Sequence, residues 1–322
     1  MRYSSIGWVL LAVAACGPAA HAQNYPTKPV RLIVPYPPGG GNDTLARLFG
    51  AKLTEAWGQQ IIVDNRGGAG TTIGTSIAAR AVPDGYTVLL SSIATHAIAP
   101  NLYAKPGYDP VKDFSPITLL AIAPTVVCVN PSVPVKSLKE LIVLAKAKPG
   151  QLRFASGGAA TPPHMAGEIF ASMTGVKLLH VPYKGGGPAI AAMIGGETNM
   201  MFDTAASILP HVRAGKLRAL AIARASRHPE YPDLPTFAEA GVPGYEVNAW
   251  YSMHAIAGTP KAVIAKWNAE LKRILDLPDI RERLKQLGSE PVGNSPEAFG
   301  KFIRAEHAKY ARAIREAGVK VE

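Results

Sequence analysis

The 322-residue chain has only two cysteines, Cys16 and Cys128. Cys16 falls in an N-terminal stretch that reads as a leader, so no internal disulfide is available to the rest. Cys128, inside "TVVCVN", is expected to be a buried structural thiol. Metal ligation is equally unsupported: His96, His164, His180, His211, His228, His254 and His307 contain no i, i+4 pair, and no cysteine cluster joins them. The glycines of "PPGGGNDT" are not followed by Gly-Lys-Ser/Thr, which excludes a nucleotide triphosphatase. In "IIVDNRGGAGTTIG" the third glycine of a dinucleotide fingerprint comes one residue late. The next strand ends in Ser91 and Ser92, with no acid for a ribose, so no cofactor is expected. The nearest approach to a serine nucleophile elbow, "GTSIA", ends in alanine and falls inside a helical stretch.

Acidic residues are also scarce, 23 against 34 basic ones, a formal charge of +11. The basic residues are spread out, as at Lys261, Lys266, Lys272, Arg281, Lys301 and Arg315, and interleaved with Glu270, Glu282 and Glu306. That is a solvated helix surface, and it predicts no nucleic-acid partner.

What is present begins with Arg2 and the apolar run "IGWVLLAVAA", about half the length of a permanent membrane span. Gly17, Pro18 and the small-x-small Ala20-His21-Ala22 follow, predicting a cleavable signal peptide over residues 1–22 and export to the periplasm. "VAAC" also resembles a lipoprotein box, leaving lipid anchoring at Cys16 as the competing expectation.

With 48% hydrophobic residues, the remainder can bury the cores of about two domains. Strand-like runs ("VRLIVPY", "QIIVDN", "YTVLLSS", "LRFAS", "LRALAIAR") alternate with helical ones, predicting parallel α/β sheets with helices on both faces. The last third is mostly helical, and Ser295-Pro296 opens a final helix with a stripe of Phe299, Phe302, Ile303, Tyr310 and Ile314. Two glycine-rich strand-to-helix turns stand out, at 37–43 and 156–164. Such turns present backbone N–H groups at the positive end of a helix dipole and suit an anion.

Ordered motifs along the mature chain resemble one family, the extracytoplasmic substrate-binding proteins of tripartite tricarboxylate transporters, or Bug family. They include "YPTKPVRLIVPYPPGGGNDTLAR", "VDNRGGAGTTIG", "YDPVKDFSPITLL", "HVPYKGGGPAIAAMIGG", "LPHVRAGKLRALAI", "LPTFAEAGVPGYE" and "GTPKAVIAKWNAEL". The resemblance implies an α/β fold of the two-lobed periplasmic binding protein type (type II-like, venus flytrap) with two interlobe crossings. The expected division is residues 23–124 plus 249–322 in lobe 1 and 125–248 in lobe 2. It also implies a small organic acid held largely by backbone amides and waters, delivery to a membrane permease of the tripartite type, a monomer, and no catalysis.

Carried onto this chain, the implied ligand set is Tyr36, Pro37, Gly39, Gly40 and Asp43 in the first turn, with Ser92 and Thr95. In the second turn it is Ser156, Gly158, Ala159, Ala160, Thr161 and His164, with Tyr183, Lys184, Gly185 and Asp203 facing the same cleft. Ala160 stands where the family commonly has glycine, so ligand size does not carry over. Each residue keeps a structural alternative. Asp43 would cap a helix starting at Thr44, Asp203 would cap the helix after its strand or meet a ligand amino group, and Lys184 would be solvated. Tyr36, Tyr183 and Trp250 would either line the cleft or pack in core or hinge. A periplasmic enzyme acting on a carboxylate and a solute sensor are the alternative functions.

Overall fold

The computed structural model describes residues 25–159 and 161–319. The leader, Cys16 and Ala160 lie outside the described residues. Strand β1 (Val30–Val34) places Val30, Leu32 and Val34 against Leu45, Phe49 and Leu53 of helix α1 (Gly41–Trp57). Ile33 turns the other way, into a cluster with Leu89 and with Ala78 of α2 (Thr72–Ala79). A strand covered on both faces needs a near-continuous apolar run, which "VRLIV" supplies except at Arg31, whose guanidinium pairs with Asp64. Each large side chain so buried contributes about 1.5–3 kcal/mol. β2 (Ile61–Asn65) and β3 (Thr87–Ser92) pair with β1 in parallel. A wide helical turn, Ala94–Ile98, then runs into α3 (Ala99–Leu102) and on to β4 (Phe114–Ala123).

Pro124 alone separates β4 from β5 (Thr125–Val129), where the chain enters a second sheet. There follow α4 (Leu138–Ala147), β6 (Arg153–Ser156), α5 (Pro162–Thr174), β7 (Leu179–Pro182), α6 (Gly186–Ile194), β8 (Met200–Thr204), α7 (Ala205–Arg213) and β9 (Arg218–Ile222). The chain returns to the first sheet at β10 (Ala249–Ile256) and ends with α8 (Lys261–Leu275), α9 (Pro278–Gln286), β11 (Glu290–Pro291) and α10 (Pro296–Ala317). The first sheet has the order β11-β4-β10-β3-β1-β2 and the second β7-β6-β8-β5-β9.

Both sheets are mixed, not parallel as the alternation predicts. The antiparallel members include the strands that follow each crossing: β10 against β3 and β4, and β5 against β8 and β9. A strand entering at the crossing must run away from it, whereas its neighbours run towards it. In β5, Val127 and Val129 join one core cluster while Val126 and Cys128 join another, so Cys128 is fully buried and its thiol is pushed well up by desolvation.

The final helix starts as the sequence predicts, with the Ser295 hydroxyl accepting from the Ala298 amide at 3.2 Å. Its stripe serves both lobes. Phe299 packs on His254 at 4.9 Å, and the Ser172 hydroxyl of α5 donates to Glu316 at 3.1 Å. Phe299, Ile303, Tyr310 and Ile314 therefore share one cluster with Phe170, Phe202 and Tyr245 of the second lobe.

Candidate functional site

The crossings fix which sheet edges meet. β8 pairs antiparallel to β5 with Thr204 opposite Thr125, so β8 ends where the chain enters the second lobe. β6 runs parallel to β8 and ends on the same side. In the first lobe β3 ends opposite Tyr251, near the start of β10. Asn248 Oδ1 accepts from the Thr125 amide at 3.0 Å and ties the two crossings together. The carboxyl edges of both sheets, and the turns they carry, thus face the crossing region, where open α/β sheets place ligands.

The first turn is rich in unclaimed donors. Helix α1 begins at Gly41, three residues before Thr44, with Gly40 in extended conformation as its N-cap and no side-chain cap. Its first-turn N–H groups therefore lack a side-chain acceptor. A Cβ on Gly39 or Gly40 would meet nothing within 4 Å, and only Gly39 needs glycine for its backbone, at φ +89. Asp43 is buried inside the first helical turn. Burial favours its neutral form, but hydrogen bonds from Arg47 Nε at 3.1 Å and the Gly39 amide at 2.9 Å outweigh this and hold its carboxyl below the usual range. Its work is to shape the loop. The Tyr36 hydroxyl bonds the Ser92 hydroxyl, and Pro37 packs so closely on Gly67 that a Cβ there would lie 2.8 Å from its ring. In that packed loop Ala69 and Thr71 both have positive φ, +44 and +86, a strain that collects at functional sites and that the sequence does not signal.

Thr95 is fully buried, accepting from the Ser92 amide at 3.0 Å and donating to the Ser92 carbonyl at 2.7 Å. Beneath it His96 and His254 stack with ring centroids 4.0 Å apart, and burial drives His96 down to about 3, so it is neutral at pH 7.

The second turn is built differently. Helix α5 starts with Pro162 and Pro163, which have no N–H, so two donors expected at this helix start are absent. The loop is pinned instead. Ser156 is fully buried and its hydroxyl donates to the Gly158 carbonyl at 2.8 Å, while Thr161 Oγ1 donates to the same carbonyl at 2.7 Å. His180 Nε2 lies 2.6 Å from the Ser156 hydroxyl, and His180 stacks on His164 at 3.7 Å. Burial and the neighbouring His164 push His180 down to about 4. With its proton given to Gly158, the Ser156 hydroxyl accepts from His180 and is a loop latch, not an activated nucleophile. His164 is buried, with Nε2 3.4 Å from a Glu168 oxygen. Gly158 has φ +140, and Ala159 is exposed.

Gly185, the N-cap of α6, donates its amide to the Gly157 carbonyl at 3.0 Å, and the Tyr183 amide donates to Ser156 at 2.9 Å, which binds this segment to the second turn. The Tyr183 hydroxyl reaches towards Glu197, 3.4 Å away. Lys184 is exposed and joins none of these networks. Asp203, at the end of β8, does not cap α7, whose N-cap is Thr204. Its Oδ1 accepts from the Thr204 amide at 2.7 Å. Trp250 is core, with its indole N–H donated to Glu306 at 3.0 Å. The next residue, Tyr251, points to the other side of the strand. Its hydroxyl would lie 3.5 Å from a Cβ on Gly41, and burial first, then the field of Asp203, push its phenol up. Tyr251 and His180 are the neighbours that the sequence did not single out.

Two cavities, of about 540 and 460 Å³, lie away from both turns, one under the proline-rich loop near Tyr231 and one behind the crossing near Trp250. Among the described residues no helix is long and apolar enough to cross a membrane.

Residues 45–319 match the model of the tripartite tricarboxylate transporter family receptor. Protein BugT of Bordetella pertussis is 35% identical over 322 residues, covering 100% of this chain and 99% of BugT. A Rhodopseudomonas palustris protein solved with adipate is 36% identical with a TM-score of 0.79, covering 92% of this chain and 99% of that one. MatC from the same organism, with bound malate, is 34% identical with a TM-score of 0.75, covering 90% and 100%. The chain belongs to the tripartite tricarboxylate transporter receptors, the Bug family of periplasmic binding proteins.

Proposed function

We propose that this receptor takes up a small organic carboxylate between the facing carboxyl edges of its two sheets and hands it, as a monomer in the periplasm, to a tripartite tricarboxylate-type permease. The observation that carries the reading is the start of α1. It offers uncapped first-turn amides, glycines with open space beside them, and a position at an edge facing the opposite lobe. An anion's carboxylate gains both the dipole and the donors there. The adipate and malate held by its structural relatives support the same ligand class. The bodies that close on the ligand are residues 23–124 with 249–322, and 125–248, moving about the paired crossings at Pro124 and Asn248. No chemical step is assigned, because the Ser156–His180 pair is spent on holding its loop and the Ser91–His254 pair is buried in the core.

A thermal-shift screen against a panel of di- and tricarboxylates tests this. A ligand at a hundred times its Kd adds about 2.7 kcal/mol of stability and raises the melting temperature. A panel of aliphatic, aromatic and amino-bearing carboxylates that leaves the melting temperature unmoved overturns the reading.

A further inference from the structure

Asp203 occupies a place that a carboxylate site does not need for attraction. It lies at the carboxyl end of β8, two residues beyond Met201, the last residue of β8 paired with β6, beside the second turn. Oδ1 is held by the Thr204 amide at 2.7 Å, and no ion pair balances the group among the described residues. The Tyr251 phenol, whose hydroxyl lies beside the α1 start, 3.5 Å from where a Cβ on Gly41 would sit, lies within its field from the opposite lobe. An unbalanced carboxylate, set opposite the helix start that draws in a carboxylate, repels any ligand whose far end is bare anion. A hydroxyl or ammonium there would instead donate to it.

We propose that Asp203 is the specificity-determining residue of the cleft, selecting carboxylates that carry a hydroxyl or ammonium donor at the end facing the second lobe over plain dicarboxylates of the same length. This rests on the carboxylate reading above. Burial raises the Asp203 carboxyl to about 6, with the Thr204 amide opposing. The group is thus ionised at pH 8 and largely protonated at pH 5, where it can itself donate to a ligand carboxylate. Selectivity is therefore strongest at pH 8 and narrows at pH 5. The titratable groups bearing on it are the Cys128 thiol of β5 and the Tyr251 phenol of β10, both pushed up by burial and so neutral across that range. From the second turn and α5, His180 and His164 are engaged with each other, Ser156 and Glu168.

The test is titration calorimetry of the full mature protein with paired probes: succinate and malate, glutarate and 2-hydroxyglutarate, adipate and 2-hydroxyadipate, each at pH 8 and pH 5. The expected result is at least one pair in which the hydroxy acid binds roughly tenfold or more tighter at pH 8, with the gap narrowing at pH 5. In Asp203→Asn the gap closes and its pH dependence disappears, while circular dichroism and melting confirm the fold. If Asp203→Asn does not fold, Asp203→Ser is titrated in its place. Hydroxy and plain acids binding equally at pH 8, or a gap that survives in the variant, overturns the proposal while leaving the receptor reading intact. If no pair binds at either pH, this inference is overturned, while the carboxylate reading is decided separately by the thermal-shift panel.

Discussion

The two glycine turns look interchangeable in sequence, and they are built on opposite strategies. At the first, three glycines run directly into α1, nothing caps the helix, and space lies open beside Gly39 and Gly40. At the second, two prolines open α5, and hydroxyls of Ser156 and Thr161 lock the Gly158 carbonyl from two sides. The first offers donors. The second offers a fixed shape. Glycine richness alone marks a turn that approaches something closely, but whether it can cradle an anion depends on the residues at the first two helical positions.

The sharpest way to break the comparison is to put valine at one glycine in each turn. Gly158 has φ +140, a conformation closed to β-branched residues, so Gly158→Val should lower stability by about 1–3 kcal/mol in urea unfolding. A variant as stable as the parent would show that the second turn is not held in the shape described. At Gly40 the backbone is ordinary and a Cβ meets nothing. Gly40→Val should therefore melt like the parent yet bind ligand roughly tenfold more weakly, about 1.4 kcal/mol by titration calorimetry. Unchanged affinity would remove the amide cradle from the first turn.

The smallest effect is expected at Lys184, an exposed cation outside every network of the second turn. Lys184→Ala should change stability by no more than about 0.5 kcal/mol and cost less affinity than Gly40→Val. Abolished binding in this variant, with Gly40→Val binding normally, would move recognition from amides to an ion pair.

Much of this was legible along the chain. The buried runs of β1 and β5, the Ser295 cap, the core role of Cys128 and both glycine turns follow from local pattern, because hydrophobic period and turn chemistry act over a few residues. The mixed pairing was not, since the direction of β5 and β10 is set by where the chain crosses between lobes. Asp43 reads as a cap from its position, yet it is drawn inside the helix by Arg47, four residues on, and by Gly39 behind it. Trp250 and Tyr251 are equally plausible as cleft aromatics until register decides which face each takes. His180 meets Ser156 and His164 only because β7 lies beside β6 in the fold. The glycines of "RGGAGTTIG" proved to be about packing: a Cβ on Gly74 would sit 2.4 Å from the Arg66 carbonyl oxygen.

Pro124 gives the joint between the lobes an unusual economy of motion. A proline has its φ locked near −65°, so the only residue between β4 and β5 retains a single soft rotation. Its carbonyl is spoken for as well, accepting from the Ala205 amide at 2.8 Å, and the parallel joint is clasped to it through Asn248. The closure proposed above would thereby be confined to something close to one arc, with little room for sideways wander. A jaw that travels on a single arc returns to the same closed register on every stroke, so a ligand's two ends meet partners at a repeatable separation, and length becomes a property the receptor can measure.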